Sequence, residues 1–194
     1  MRSAENFMAY ENQMYRIGIP WKESQPILPD NYDMAVRRLE NTEKRLKRSS
    51  DIAVAYNKCI LQYVEKGYIR KKPEYEKCES KWYLPHFPVI RLDKETTKTR
   101  IVFDASAKYE GVSLNDVIHQ GPKLQWDLFD VLLRFRRFPV ALVCDIAEMY
   151  LRVDIAHKDK PYHRFLWRGT NQNRHPDIYE FDRIVFGVNS SHST

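Results

Sequence analysis

From Asp30 the apolar positions Tyr32, Val36, Leu39 and Leu46 return at helical intervals, with Arg37, Arg38, Lys44, Arg45 and Lys47 on the other side. Asp30 and Asp33 suit the first turn of that helix, and the basic run Lys44 to Arg48 suits its last. Ser49 or Ser50 is placed to cap a second helix, whose apolar face runs through Ile52, Tyr56, Cys59, Ile60, Tyr63 and Val64. Gly67 stands where such a helix ends. The pattern predicts a helical hairpin over residues 30–67. Before it, Met14 to Lys22 reads as an edge strand ending at Pro20, and Pro26 and Pro29 mark a linker.

Beyond a polar connector, residues 68–80, the period changes from helix to strand at Trp82. His86–Arg91 and Thr99–Phe103 predict a hairpin around the polar segment LDKETTK. Ser113 is a cap for a short helix holding Leu114 and Val117, and Gly121-Pro122 breaks it. Leu124, Leu128, Val131, Leu132 and Phe135 then form a helical stripe, with Asp127 and Asp130 early and Arg134, Arg136 and Arg137 late. Pro139 stops it. The apolar run that follows, Val140 to Asp145, predicts a buried central strand ending in an acid. Tyr162–Trp167 and Ile178–Phe186 predict two more strands. From Trp82 the order is β-β-α-α-β-β-β, an α+β layout with mainly antiparallel pairing. The chain divides into an edge segment over 1–28, a helical connector over 29–80 and a third unit over 81–194.

Composition narrows the class. The chain has 194 residues, 43% of them hydrophobic and 30% charged, which is globular rather than disordered. No apolar run is long enough to span a membrane and the N-terminus lacks a signal core, so a cytoplasmic or nuclear protein is expected. Three dispersed cysteines, with no CxxC pair, support neither a disulfide framework nor a zinc ribbon. Cys78 and His86 read as structural. The formal net charge of +6 is spread along the chain and is weak grounds alone for a nucleic-acid partner. The absence of a Walker motif and of GxGxxG leaves nucleotide-hydrolase and dinucleotide-binding readings without support.

Two positions carry candidate chemistry. Asp145, at the end of an apolar run, is a candidate metal-binding carboxylate or simply a strand end. Phosphoryl transfer to a 3′-hydroxyl uses two divalent cations about 3.5–4 Å apart, bridged by carboxylates. No two acidic residues are adjacent anywhere in the chain, so the second carboxylate source is missing. Tyr150 is either a core tyrosine or a wall beside the sugar of a bound nucleotide, where its ring would exclude a 2′-hydroxyl. Lys94, Lys98 and Arg100 cluster on the predicted hairpin, where they suit a charged edge or a grip on a polyphosphate.

DIAEMY after an apolar run resembles the first catalytic motif of reverse transcriptases, and TRIVFDASAKYEGVSLND resembles their preceding fingers motif. Together with YLPHFPVI, DLFDVLLRFR and FGV-SS, the wording is most similar to the Pol polyprotein of Bel/Pao-type LTR retrotransposons. The likeness runs from about Trp82 to Ser191, and YRIGIPWK, LPDNY and RRLENTEKRLKR resemble the segment upstream of the polymerase.

The resemblance implies a partial fingers and palm over residues 81–194, of the RNA-directed DNA polymerase type. It implies that Asp145 is a catalytic, metal-binding aspartate, with the carbonyl of Ile146 as a further ligand for Mg²⁺ or Mn²⁺. Arg100, assisted by Lys98 or Lys94, would meet the triphosphate. Met149 would offer its backbone, Tyr150 would select deoxynucleotides, and Phe186-Gly187 would pack under the nucleotide. Asp104 would support the fingers. Implied partners are an RNA or DNA template-primer, a deoxynucleoside triphosphate, and the remaining Pol regions or a second copy of the chain. The family's YxDD motif does not occur in these residues, so the expected metal site is incomplete and the expected state is a truncated, inactive polymerase. The alternative is a non-catalytic nucleic-acid-binding or interaction module derived from a mobile element.

Overall fold

The structure, a computed structural model, describes residues 8–11, 13–23, 26–73, 80–90, 99–120 and 126–188. The helical hairpin forms as its periodicity predicts: α1 spans Tyr32–Leu46 and α2 spans Ser50–Glu65. Ser49 is the N-cap of α2 by position, but its side chain makes no capping bond. Gly67 ends α2 in the left-handed region at φ 67°. Its N–H donates to the Val64 carbonyl at 3.0 Å and that of Tyr68 donates to Tyr63 at 2.9 Å, closing the helix as a Schellman turn.

Among the described residues eight strands make three small sheets. β1 (Met8–Glu11) and β2 (Met14–Ile17) form an antiparallel pair, and β6 (Asp154–Ile155) joins β2 in parallel. β3 (Ile69–Lys72), β8 (Asp177–Phe181) and β7 (Arg164–Trp167) form an antiparallel sheet in that order. β4 (His86–Ile90) pairs with β5 (Thr99–Phe103) as the predicted hairpin, in the register His86↔Phe103. The architecture is α+β and mainly antiparallel. The β2 segment is the middle strand of its sheet rather than an edge, because β6 supplies a partner 137 or more positions further along the chain.

One hydrophobic cluster draws on every part of the chain. Ile19 and Leu28 come from the N-terminal segment, Leu39, Leu46, Tyr56 and Ile60 from the helical hairpin, and Trp82, Phe103, Phe165 and Phe181 from the remainder. Buried ion pairs fasten the elements. Arg168 grips Glu43 of α1 with two bonds, of 2.7 and 2.8 Å, and Arg164 of β7 meets Glu180 of β8 at 2.9 Å. Asp159 is fully buried and accepts from the Ile19 N–H and the Trp21 Nε1–H, both at 2.9 Å, which pins the N-terminal segment to the turn before β7. Burial pushes the Asp159 carboxyl upward against those two bonds.

Two expectations fail on one stretch. Val140–Asp145 is not a strand, and it is exposed rather than buried. Among the described residues no strand runs beside it. β-propensity expresses fit to a pleated, half-buried surface, and without that surface the β-branched run has nothing to pair with. The preceding helix does form, as α3 (Leu128–Phe135), with Asp127 capping the Phe129 N–H at 2.8 Å. Yet its apolar stripe is exposed. The short helix after Ser113 forms as a 3-10 turn over Leu114–Val117, with a complete Ser113–Asp116 capping box.

The core makes stability depend on two neutral imidazoles. His86 contacts the Tyr56 hydroxyl through Nδ1 and the Leu166 carbonyl through Nε2 at 2.7 Å. His163 lies against the Asp159 carbonyl at 3.3 Å. Burial lowers both rings from the usual 6.5 to about 4. The unfolded chain therefore binds more protons between those values, and stability rises with pH across that window. We expect full stability above about pH 6.5, and a progressive loss on the order of 3 kcal/mol per ring as pH falls towards 4. Asp159, with its raised carboxyl, offsets a small part of that loss. Urea midpoints measured from neutral pH down to 4.5 test this, and a flat profile would refute it.

Candidate functional site

The DIAEMY segment is held by its acid, though not by the one the motif reading favours. Glu148 adopts the left-handed conformation at φ 56°. The Lys66 ammonium donates to its two carboxylate oxygens at 2.7 and 2.9 Å, and the Tyr68 hydroxyl donates at 2.8 Å. These partners lie in the turn that closes α2. The Lys66 hydrogen bond is the largest cause holding the Glu148 carboxyl below its ordinary range. Next to the clamp the Arg152 Nε–H donates to the Ala147 carbonyl at 2.9 Å. The loop is thus held from Ala147 onward, into a 3-10 turn over Met149–Arg152. Sequence reading left Glu148 without a role. The only signal for it was the Lys66-Gly67-Tyr68 helix end, and nothing local links that to residue 148.

Past the clamp, Tyr150 meets Phe186, with ring centroids 5.6 Å apart and planes at 58°. Phe186-Gly187 therefore lies beside the tyrosine of DIAEMY. Gly187 sits at φ 106°, and a Cβ there would lie 2.7 Å from the Phe103 carbonyl oxygen at the end of β5. The Gly187 carbonyl accepts from Asn115 Nδ2 at 3.1 Å, and Asn115 also donates to Ser106 Oγ at 2.9 Å. The GVSLND segment, the end of β5 and the FG turn thus lock together. Only glycine allows that approach, since it lacks a Cβ and reaches positive φ freely.

Arg100 is exposed on β5 opposite Val89. Its charge and that of Glu148 act on one group, the Tyr63 hydroxyl near the end of α2. Burial is the chief cause that pushes Tyr63 up to about 12; Glu148 adds to the rise and Arg100 opposes it. Asp104 Oδ1 accepts the Ser106 N–H at 3.1 Å, and Oδ2 lies 3.5 Å from Arg38 of α1. Lys94, Lys98 and Cys78 lie outside the described residues.

Asp145 and Ile146 are exposed on the unpaired stretch, and Met149 is exposed beside Tyr150. Among the described residues no group of three or more His, Cys, Asp or Glu is arranged to hold a metal ion. Glu148, three positions from Asp145, is committed to Lys66 and Tyr68. One carboxylate and one carbonyl fall well short of the six oxygens that Mg²⁺ takes. The donor set present does not by itself fit the divalent cation. Among the described residues no helix is long and apolar enough to cross a membrane.

The site therefore comprises an aromatic corner of Tyr150 and Phe186, an exposed arginine on β5, and an aspartate on an open segment. No family model matches the chain, and no curated protein matches it.

Gly187→Ala tests the corner. The backbone strain alone costs about 1–3 kcal/mol, and the contact with Phe103 adds to it. We expect the denaturant midpoint to fall accordingly, while Asn115→Ala costs about 1 kcal/mol. A Gly187→Ala variant as stable as the parent would rule out this packing.

Proposed function

We propose that the chain carries the fingers and the first part of the palm of a reverse transcriptase of the Bel/Pao retrotransposon type, and that it does not polymerise alone. The observation that carries this reading is the meeting of Tyr150 with Phe186-Gly187 against the end of β5. Two motifs far apart in the chain come together there, and the resemblance gives both to one nucleotide pocket. Arg100, exposed on that β-hairpin where the resemblance has it meet the triphosphate, supports it further.

In this reading the residues bind and select; they do not complete the chemistry. Arg100 meets triphosphate oxygens with a planar, permanently charged fork. The Tyr150 ring, braced by Phe186, occupies the space a 2′-hydroxyl would need. The Glu148 clamp fixes the backbone of Met149 where the resemblance puts the nucleotide. A bound divalent metal would supply charge neutralisation for phosphoryl transfer in an intact polymerase, but the donor set here leaves that function unfilled.

The alternative of a general nucleic-acid-binding module draws less support. Several cations of the helical connector and β3 are already paired with acids. Arg70 binds Asp182 at 2.9 Å, Lys71 binds Asp177 at 2.9 Å and Lys66 binds Glu148. Such pairing takes those three cations out of any basic patch on β3 and the end of α2.

Equilibrium binding of deoxynucleoside and ribonucleoside triphosphates tests the proposal. Preference for the deoxy form is expected. Arg100→Ala should weaken both, and Tyr150→Ala should erase the preference. Indifference of binding to both substitutions would sink the nucleotide pocket. No primer extension is expected with Mg²⁺ or Mn²⁺. Template-dependent product that Asp145→Asn abolishes would overturn the inactive state. Template-primer binding that falls steeply with salt and ignores Arg100 and Tyr150 would favour the binding-module alternative.

A further inference from the structure

The largest unexplained feature is the apolar surface of α3 and the stretch after it. Leu128, Val131, Leu132 and Phe135 recur at helical spacing and are all exposed. Leu142 and Val143, beyond the helix, are 90% and 85% exposed. At about 100 Å² for a fully exposed side chain, scaled by the exposure of each, these six side chains offer on the order of 400 Å² of apolar area. That lies within the range of the largest patches on a monomer, which are often functional, and is about half of the roughly 800 Å² per partner of a standard interface.

Charge placement selects the occupant. Asp127 and Arg134 lie two helical turns apart, on the same edge of the stripe, one at each end of α3. A two-fold axis through the middle of the stripe, near Val131, turns a second α3 antiparallel to the first. It then lays Asp127 of one copy against Arg134 of the other, twice. A parallel two-fold arrangement would leave the Asp127 and Arg134 edges of the two copies on opposite sides of the seam, unpaired. Asp127 already accepts the Phe129 N–H at 2.8 Å, and a carboxylate has further lone pairs for a guanidinium. Arg134 lies over the Trp126 ring at 4.4 Å, which braces it beside the helix. An anionic lipid surface fits less well, because Asp127 and Asp130 sit on the same short helix as the arginines.

We propose that this face is an interface between two copies of the chain, built on antiparallel α3 stripes and closed by reciprocal Asp127–Arg134 pairs. The inference does not depend on the polymerase reading.

Sedimentation velocity on the full chain over a range of concentrations tests it. A closed dimer is expected, and Leu132→Glu should convert it to a monomer. Asp127→Arg and Arg134→Asp should each weaken the dimer by about tenfold or more. An equimolar mixture of those two variants should regain it, because each then meets its opposite charge; misfolded variants would not be rescued. A monomer at every concentration would overturn the proposal. So would open-ended aggregation that ignores the charge reversals, or a monomer that instead binds phosphatidylserine vesicles.

Discussion

The fold depends on one cluster of rings. Phe103 of β5, Phe165 of β7 and Phe181 of β8 lie 4.8–5.4 Å apart, and His86 of β4 stands edge-on to Phe165 at 5.3 Å. Tyr56 and Tyr63 of α2 reach the same cluster, Tyr56 through His86 and Tyr63 through Phe181. Two sheets and a helix therefore share one aromatic centre. Each ring buries a large apolar area, and edge-to-face geometry adds a preference for this arrangement. A charged imidazole in the middle would lose its solvation without a compensating counterion, so His86 is held neutral by its place in the packing.

That centre also sets the position of the candidate site. Phe103 is both a core ring and the last residue of β5, and its carbonyl is what Gly187 approaches. The FG turn therefore inherits its place from the core, and Phe186 carries that place to Tyr150. On the other side, the Schellman end of α2 presents Lys66 and Tyr68 to Glu148. Helix end and strand end together hold the DIAEMY loop from Ala147 onward. Upstream of that loop the support stops, and Asp145 is left on the exposed run.

The helical hairpin was readable because both helices bury one face, so their period is written in the residues. The β4–β5 hairpin and the Ser113 capping box were readable for a related reason, since both are local. The meeting of Tyr150 with Phe186-Gly187 was not foreseen: the family likeness gave each its own place at the nucleotide, and no periodicity points to a contact between residues so far apart. The Glu43–Arg168 and Asp159–Trp21 bonds span most of the chain, and no local pattern marks them. The apolar run Val140–Cys144 misled in the opposite sense. Its composition specifies a strand that wants both faces covered, while composition carries no information on whether a neighbour exists.

By itself the sequence determined the helical segments, the β4–β5 hairpin, where the helix ends fall, and which acid and which aromatic residues merit attention; it put a strand at Val140–Asp145 where none forms and read β3 as part of a polar connector. Those properties follow from short-range sterics, capping and the alternation of apolar and polar positions. Only the tertiary structure decided that Glu148 clamps the loop, that Gly187 must be glycine because of a carbonyl from β5, and that α3 and Val140–Asp145 lie open. Each of these depends on what packs alongside, and packing partners are chosen by the whole chain rather than by the neighbours of a residue.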